Sequence, residues 1–155
     1  MEFENITEII DFAIGKEIEA AQFYRQVSRM EGFSGTREMF AGFAKEEEKH
    51  QKMLENLKQG ALDKSLAGYD FKWIVDIRRS DYAVDMEYKE AMSYNEILML
   101  AMKREEKALR LYNAFLKEAQ TQDMKTVFKV LCQEEAKHKL RLETEYDDYM
   151  AKMGD

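Results

Sequence analysis

Apolar residues at Ile6, Ile9, Ile10, Ala13, Ile14, Ala20, Ala21, Tyr24 and Val27 return at helical intervals, and Glu17 is the exception on that stripe. The spacing predicts a helix from Ile6 to about Met30. The period stops at Glu31-Gly32-Phe33-Ser34-Gly35, where two glycines bracket a serine. A second helix is expected from about Thr36, read as its N-cap, to Lys58, with Gly60 just past its end. Residues 61–92 carry no comparable period. Gly68 to Trp73 read as an irregular or extended crossing and Val75 to Met92 as partly helical, so the segment is taken as a connection. Ser93, followed three residues later by Glu96, is a capping-box signature. The third helix follows through Ile97, Leu98, Leu100, Ala101, Ala108, Leu111, Tyr112 and Phe115 to about Ala119. Gln120 to Asp123 makes a turn, and a fourth helix runs from Met124 to about Met150. Proline is absent from the chain, which favours long uninterrupted helices. The fold class is all-α, a four-helix bundle within a single domain spanning 1–155.

The two halves repeat. Phe40, Phe43, Glu47 and His50 recur 88 residues later as Phe128, Leu131, Glu135 and His138, and Glu17, Ala20 and Tyr24 recur at the same offset as Glu105, Ala108 and Tyr112. Repeat one covers about 5–58, the connection about 61–92 and repeat two about 93–150, so the bundle consists of two similar hairpins joined by a long crossover. In an antiparallel hairpin, residues equidistant from the turn lie side by side. Glu17 and Glu47 are equidistant from residue 32, and Glu105 and Glu135 from residue 120, so both pairs belong at mid-bundle, roughly 22 Å from their turns at 1.5 Å per residue.

Charge and composition narrow the function. A net charge of −7 leaves no basic stripe for phosphates, which argues against nucleic acid and anionic membrane surfaces. No stretch approaches the ~20 apolar residues of a spanning helix, and the first residues are acidic where a signal peptide is basic, so a cytoplasmic protein is expected. The single cysteine, Cys132, reads as a small buried residue rather than a reactive thiol.

Both of the two histidines lie three residues after a glutamate. On a helix that spacing puts a carboxylate and an imidazole on one face. Glu17, Glu47, His50, Glu105, Glu135 and His138 would meet in one core, where carboxylates are costly to bury unless paired or bound to a cation. Four carboxylates offset two divalent ions and can bridge them, and oxygen and nitrogen donors without thiolate favour iron or manganese, with zinc also admissible. The plainer alternative is a helical protein with solvated charged faces. Tyr24 and Tyr112 are placed to hydrogen-bond ligand carboxylates, though buried tyrosine is also ordinary core. The Phe40–Phe128 and Leu54–Leu142 pairs read as core, and Glu46 with Glu134 as surface.

These residues resemble the ferritin-like di-iron carboxylate proteins, and within them the rubrerythrin branch. The resemblance rests on Ala13-Ile14-x-x-Glu17-x-x-Ala20-x-x-x-Tyr24, on Phe40-x-x-Phe43-Ala44-x-x-Glu47-x-x-His50, and on the second copy of both. It implies a ferritin-like bundle with two iron ions and a homodimer that reduces hydrogen peroxide or dioxygen in oxidative-stress defence. Rubrerythrins usually carry a rubredoxin domain with two Cys-x-x-Cys knuckles; with one cysteine, this chain is expected to draw on an external rubredoxin-like electron donor. Ala108 stands where known rubrerythrins have an extra carboxylate, and His138 where they have glutamate, so the six candidate ligands look more like the symmetrical set of bacterioferritin. The short stretch after His138 leaves little room for the fifth helix of storage cages. An iron-handling ferroxidase and a non-catalytic interaction bundle are the alternative functions.

Overall fold

The computed structural model describes residues 6–29, 34–60 and 92–153. Four helices account for nearly all of them: α1 (Ile6–Ser28), α2 (Ser34–Lys58), α3 (Tyr94–Glu118) and α4 (Gln122–Met153). The first turn and the connection over 61–91, with Tyr69, Phe71 and Trp73, lie outside the described residues.

Local chemistry sets the helix ends. The Ser93 backbone N–H donates to the Glu96 carboxylate at 3.1 Å, closing the half of the capping box in which Glu96 reaches back. Thr121 caps α4 by accepting the Met124 N–H at 3.1 Å. Past α2, Gly60 adopts φ 78°, a left-handed conformation that costs glycine little. One expectation fails here: Thr36 lies inside the first turn of α2, which starts at Ser34. Its side chain is buried and hydrogen-bonds Tyr94 of α3, so it serves the packing between helices instead of a cap. α4 extends to Gln122 and Met153, beyond the Met124 to Met150 expected from its apolar period.

Packing is closest within each hairpin, α1 on α2 and α3 on α4, and the hairpins meet through α1 on α3 and α2 on α4. Lys58 bonds Asp11 at 2.6 Å and Arg25 bonds Glu48, which fixes α1 and α2 as antiparallel. Tyr24 meets Glu105 while Tyr112 meets Glu17, so α1 and α3 are antiparallel as well. That leaves α2 and α3 parallel across a diagonal. The end of α2 and the start of α3 therefore sit at opposite ends of the bundle, about 37 Å apart for a 25-residue helix at 1.5 Å per residue.

The apolar interior divides in two. One cluster gathers Tyr24, Phe40, Phe43 and Ala44 against Ile97, Leu98, Ala101 and Met102; the other gathers Ile10, Ala13 and Leu54 against Tyr112, Phe115, Phe128 and Leu131. The repeat carries down to ring geometry: Tyr24 stacks on Phe40 at 5.9 Å, and Tyr112 on Phe128 at 6.2 Å. The two tyrosines also carry the hydrogen bonds to Glu105 and Glu17, tying both clusters to one buried polar layer.

Candidate metal centre

Every helix contributes to that layer: Glu17 from α1, Glu47 and His50 from α2, Glu105 from α3, Glu135 and His138 from α4. All six are at most 3% exposed. His50 Nδ1 lies 2.9 Å from Glu135, 3.3 Å from Glu47 and 3.5 Å from Glu17. His138 Nδ1 lies 3.1 Å from Glu47 and 3.5 Å from Glu105. The equal-height placement of Glu17 beside Glu47 thus brings both to one imidazole. Two overlapping donor sets result, Glu17, Glu47, His50 and Glu135 in one, and Glu47, Glu105, Glu135 and His138 in the other, each with its ligand atoms within 4.8 Å of one another. Glu47 and Glu135 belong to both.

The donor atoms fit a bound cation. Glu17 Oε2, Glu47 Oε1, Glu105 Oε2, Glu135 Oε1 and both Nδ1 atoms are buried with no hydrogen-bond partner, although they crowd together. Buried polar atoms left this way are costly, and a cation at their centre would engage all of them. Two of the remaining oxygens are spoken for. Tyr24 donates to Glu105 Oε1 and Tyr112 to Glu17 Oε1, so each tyrosine holds the terminal glutamate of the opposite repeat. His138 Nε2 meets Glu46 of α2, and the His138 ring stacks on Phe43 at 4.1 Å. Glu46 is as exposed as its sequence position indicated, yet it also touches the site. Helical period alone places it off the ligand face; its reach to His138 comes from the crossing of α2 over α4.

The same crowding shifts proton affinities. Burial, then the neighbouring Glu47 charge, raises Glu17 from 4.5 to about 8. Burial, with Glu105, Glu47 and Glu17 nearby, pushes Glu135 well up. Glu47 moves the other way: burial opposes its charge, but the adjacent His138 and His50 imidazoles win and hold it well below the carboxylate range. Burial alone would lower His50, but Glu17 and Glu47 overcome it and raise the ring to about 10. His138 is likewise raised against its burial, by Glu105, Glu46 and Glu47. Burial and the adjacent carboxylates push Tyr24 and Tyr112 well above 10, so they stay protonated donors. Burial takes the Cys132 thiol to about 11; it packs in the second apolar cluster and belongs to neither donor set.

A cavity of about 300 Å³ opens between α1 and α3 and has Glu17, Glu47, Glu105 and Glu135 in its lining. Its walls include Phe12, Ala20, Ala108 and Leu111, and Lys16, Glu19, Arg104 and Lys107 also line it. Ala20 and Ala108 are repeat equivalents, as are Lys16 and Arg104, so the cavity straddles the pseudo-two-fold between the hairpins.

A buried carboxylate and imidazole layer across a four-helix bundle is the arrangement of a ferritin-like protein. The ferritin-like domain family matches residues 5–145, and the chain belongs to that family. Among solved structures it is similar to a hypothetical protein from Pyrococcus furiosus, with 22% identity over 93% of this chain and 89% of that one, and a TM-score of 0.69. Among curated protein sequences none matches the chain. No helix among the described residues is long and apolar enough to cross a membrane.

Proposed function

We propose that the protein is a di-iron carboxylate oxidoreductase that reduces hydrogen peroxide, or dioxygen, with electrons from an external rubredoxin-like donor. The observation that carries this reading is the pair of donor sets sharing Glu47 and Glu135. In this assignment Glu17 and His50 would hold one ion and Glu105 and His138 the other, with Glu47 and Glu135 available to both. Two bound iron ions would together supply the two electrons that, with two protons, convert hydrogen peroxide to two waters, after which the donor restores them.

The chain's own residues set the geometry and the charge. Tyr112 and Tyr24 each occupy one oxygen of Glu17 and Glu105, leaving the other oxygen free for the centre. Glu46 and the Phe43 ring fix the plane of His138, so that Nδ1 faces inward. Tyr–Phe stacks give the layer an apolar neighbour on both sides. The α1–α3 cavity is the route by which a small oxidant reaches the carboxylates. The rubrerythrin resemblance, with a homodimer as the expected assembly, favours peroxide over dioxygen.

Anaerobic titration with Fe(II), followed by stopped-flow mixing with peroxide or with dioxygen, tests the reading. Two Fe(II) per chain, faster oxidation by peroxide, and repeated turnover with reduced rubredoxin are expected. Iron that is oxidised once and retained in a large assembly would point to iron handling instead. No saturable binding would leave a helical interaction bundle.

A further inference from the structure

The cavity between α1 and α3 is larger than the proposed oxidants need. Its volume of about 300 Å³ has room for about ten water-sized groups, whereas peroxide or dioxygen has two heavy atoms. That volume is at the lower end of the range for organic ligands, which bind in apolar pockets with a few placed polar groups. The chemistry here is of that kind. Phe12, Ala20, Ala108 and Leu111 give apolar wall, and the small pair Ala20 and Ala108 keeps the space above the carboxylates open.

Three cations, Lys16, Arg104 and Lys107, line the cavity against one anion outside the metal layer, Glu19, in a chain whose net charge is −7. Glu19 is taken up by Lys16 at 3.4 Å. Arg104 stands out. Its guanidinium lies 4.4 Å over the Phe23 ring, and its Nε is buried with no hydrogen-bond partner. A guanidinium fork with an unused Nε–H is built for a carboxylate, which it grips through two parallel hydrogen bonds.

We infer that the α1–α3 cavity binds a small organic carboxylate, its head on Arg104 and its apolar stem between Ala20, Ala108 and Leu111 above the buried glutamates. This deepens the proposed function by naming a substrate class, and it rests on that reading only for the chemistry beneath the bound molecule. Binding itself follows from the cavity and Arg104.

The test is calorimetric titration of n-alkanoates from acetate to octanoate, on the metal-free protein and on protein loaded with redox-inert Zn(II), with bound zinc counted in the same samples. Both forms are expected to bind octanoate once per chain. Zinc-loaded protein should bind more tightly, because the carboxylate floor is then neutralised. Affinity should rise about two- to fourfold per methylene until the cavity is full. Arg104→Gln is expected to weaken octanoate at least tenfold, with Arg104→Lys between it and the parent. Ala108→Phe, which fills the cavity, should abolish binding while leaving zinc stoichiometry unchanged. The inference is overturned if neither form binds octanoate saturably, if acetate binds as well as octanoate, or if Arg104→Gln and Ala108→Phe both bind like the parent. Loss of zinc binding alone would count against the proposed metal centre, and the titration of metal-free protein would still decide the cavity.

Discussion

Tyr24 and Tyr112 show how much a single hydroxyl can control. Each sits seven residues beyond the glutamate of its own helix, yet each donates to the glutamate of the other repeat, because α1 and α3 run antiparallel. Removing one hydroxyl leaves a buried carboxylate oxygen unpaired and frees the ligand to rotate. Tyr24→Phe is therefore expected to weaken the ion served by Glu105 and His138, and Tyr112→Phe the ion served by Glu17 and His50, each by about 10- to 100-fold. Chelator competition checks both, and equal weakening of the two ions by one substitution would contradict the crossed assignment. Proton affinities at the same residues set a pH dependence. Glu17 is raised to about 8 and His50 to about 10, and Glu135 is raised too, so the metal-free folded state binds more protons than the unfolded chain from about pH 5 to 10. Stability must then fall as pH rises through that window; Glu47, held low, acts in the opposite sense only below 4.5. Metal binding displaces these protons, so affinity should rise over the same range. Thermal melts of metal-free protein at about pH 5.5 and 9 should show the lower Tm at the higher pH. A flat or rising Tm would refute the protonation scheme.

The helices were legible in the sequence because a 3.6-residue period survives any tertiary arrangement. The six donors were legible as well, since Glu-x-x-His and the equal distances of Glu17 and Glu47 from their turn are properties of one hairpin. What lies between hairpins was not. The exchange of tyrosine partners, the reach of Glu46 to His138 and the cavity between α1 and α3 depend on crossing geometry that no single helix encodes. Lys139 and Glu143, one turn apart on α4, are fully buried charges that the apolar pattern gave no reason to place inside. Thr36 departs from its expected capping role because a side chain suited to capping also suits a contact with Tyr94. Division of the core into two clusters leads to an element-scale prediction. Phe40→Leu and Phe128→Leu lie in different clusters, so each should cost about 1–2 kcal/mol and the pair should add within about 0.5 kcal/mol. Denaturant melts of the double mutant check this, and strong coupling would mean that the clusters act as one.

For the molecule as a whole, the polar layer is a stability cost that the proposed metal binding would offset. Four carboxylates and two imidazoles displace apolar core from the centre of the bundle, and six of their atoms have no hydrogen-bond partner. Replacing one buried carboxyl should relieve the metal-free state even as it removes a ligand. Glu135→Gln is expected to melt no lower than the parent without metal and to lose the metal-induced rise. In the parent, metal at about 100 times its Kd adds about 2.7 kcal/mol, a rise of roughly 5–10 °C for a chain of this size. A parent Tm unmoved by Fe(II) or Zn(II) would speak for the interaction bundle.

The central claim, that Glu47 and Glu135 bridge two ions, is tested most directly by anomalous diffraction from crystals of the metal-loaded protein. Two peaks about 3.5–4 Å apart are predicted, one beside His50 Nδ1 and one beside His138 Nδ1, with both shared carboxylates between them. A single peak, or two peaks with no carboxylate in common, would contradict it.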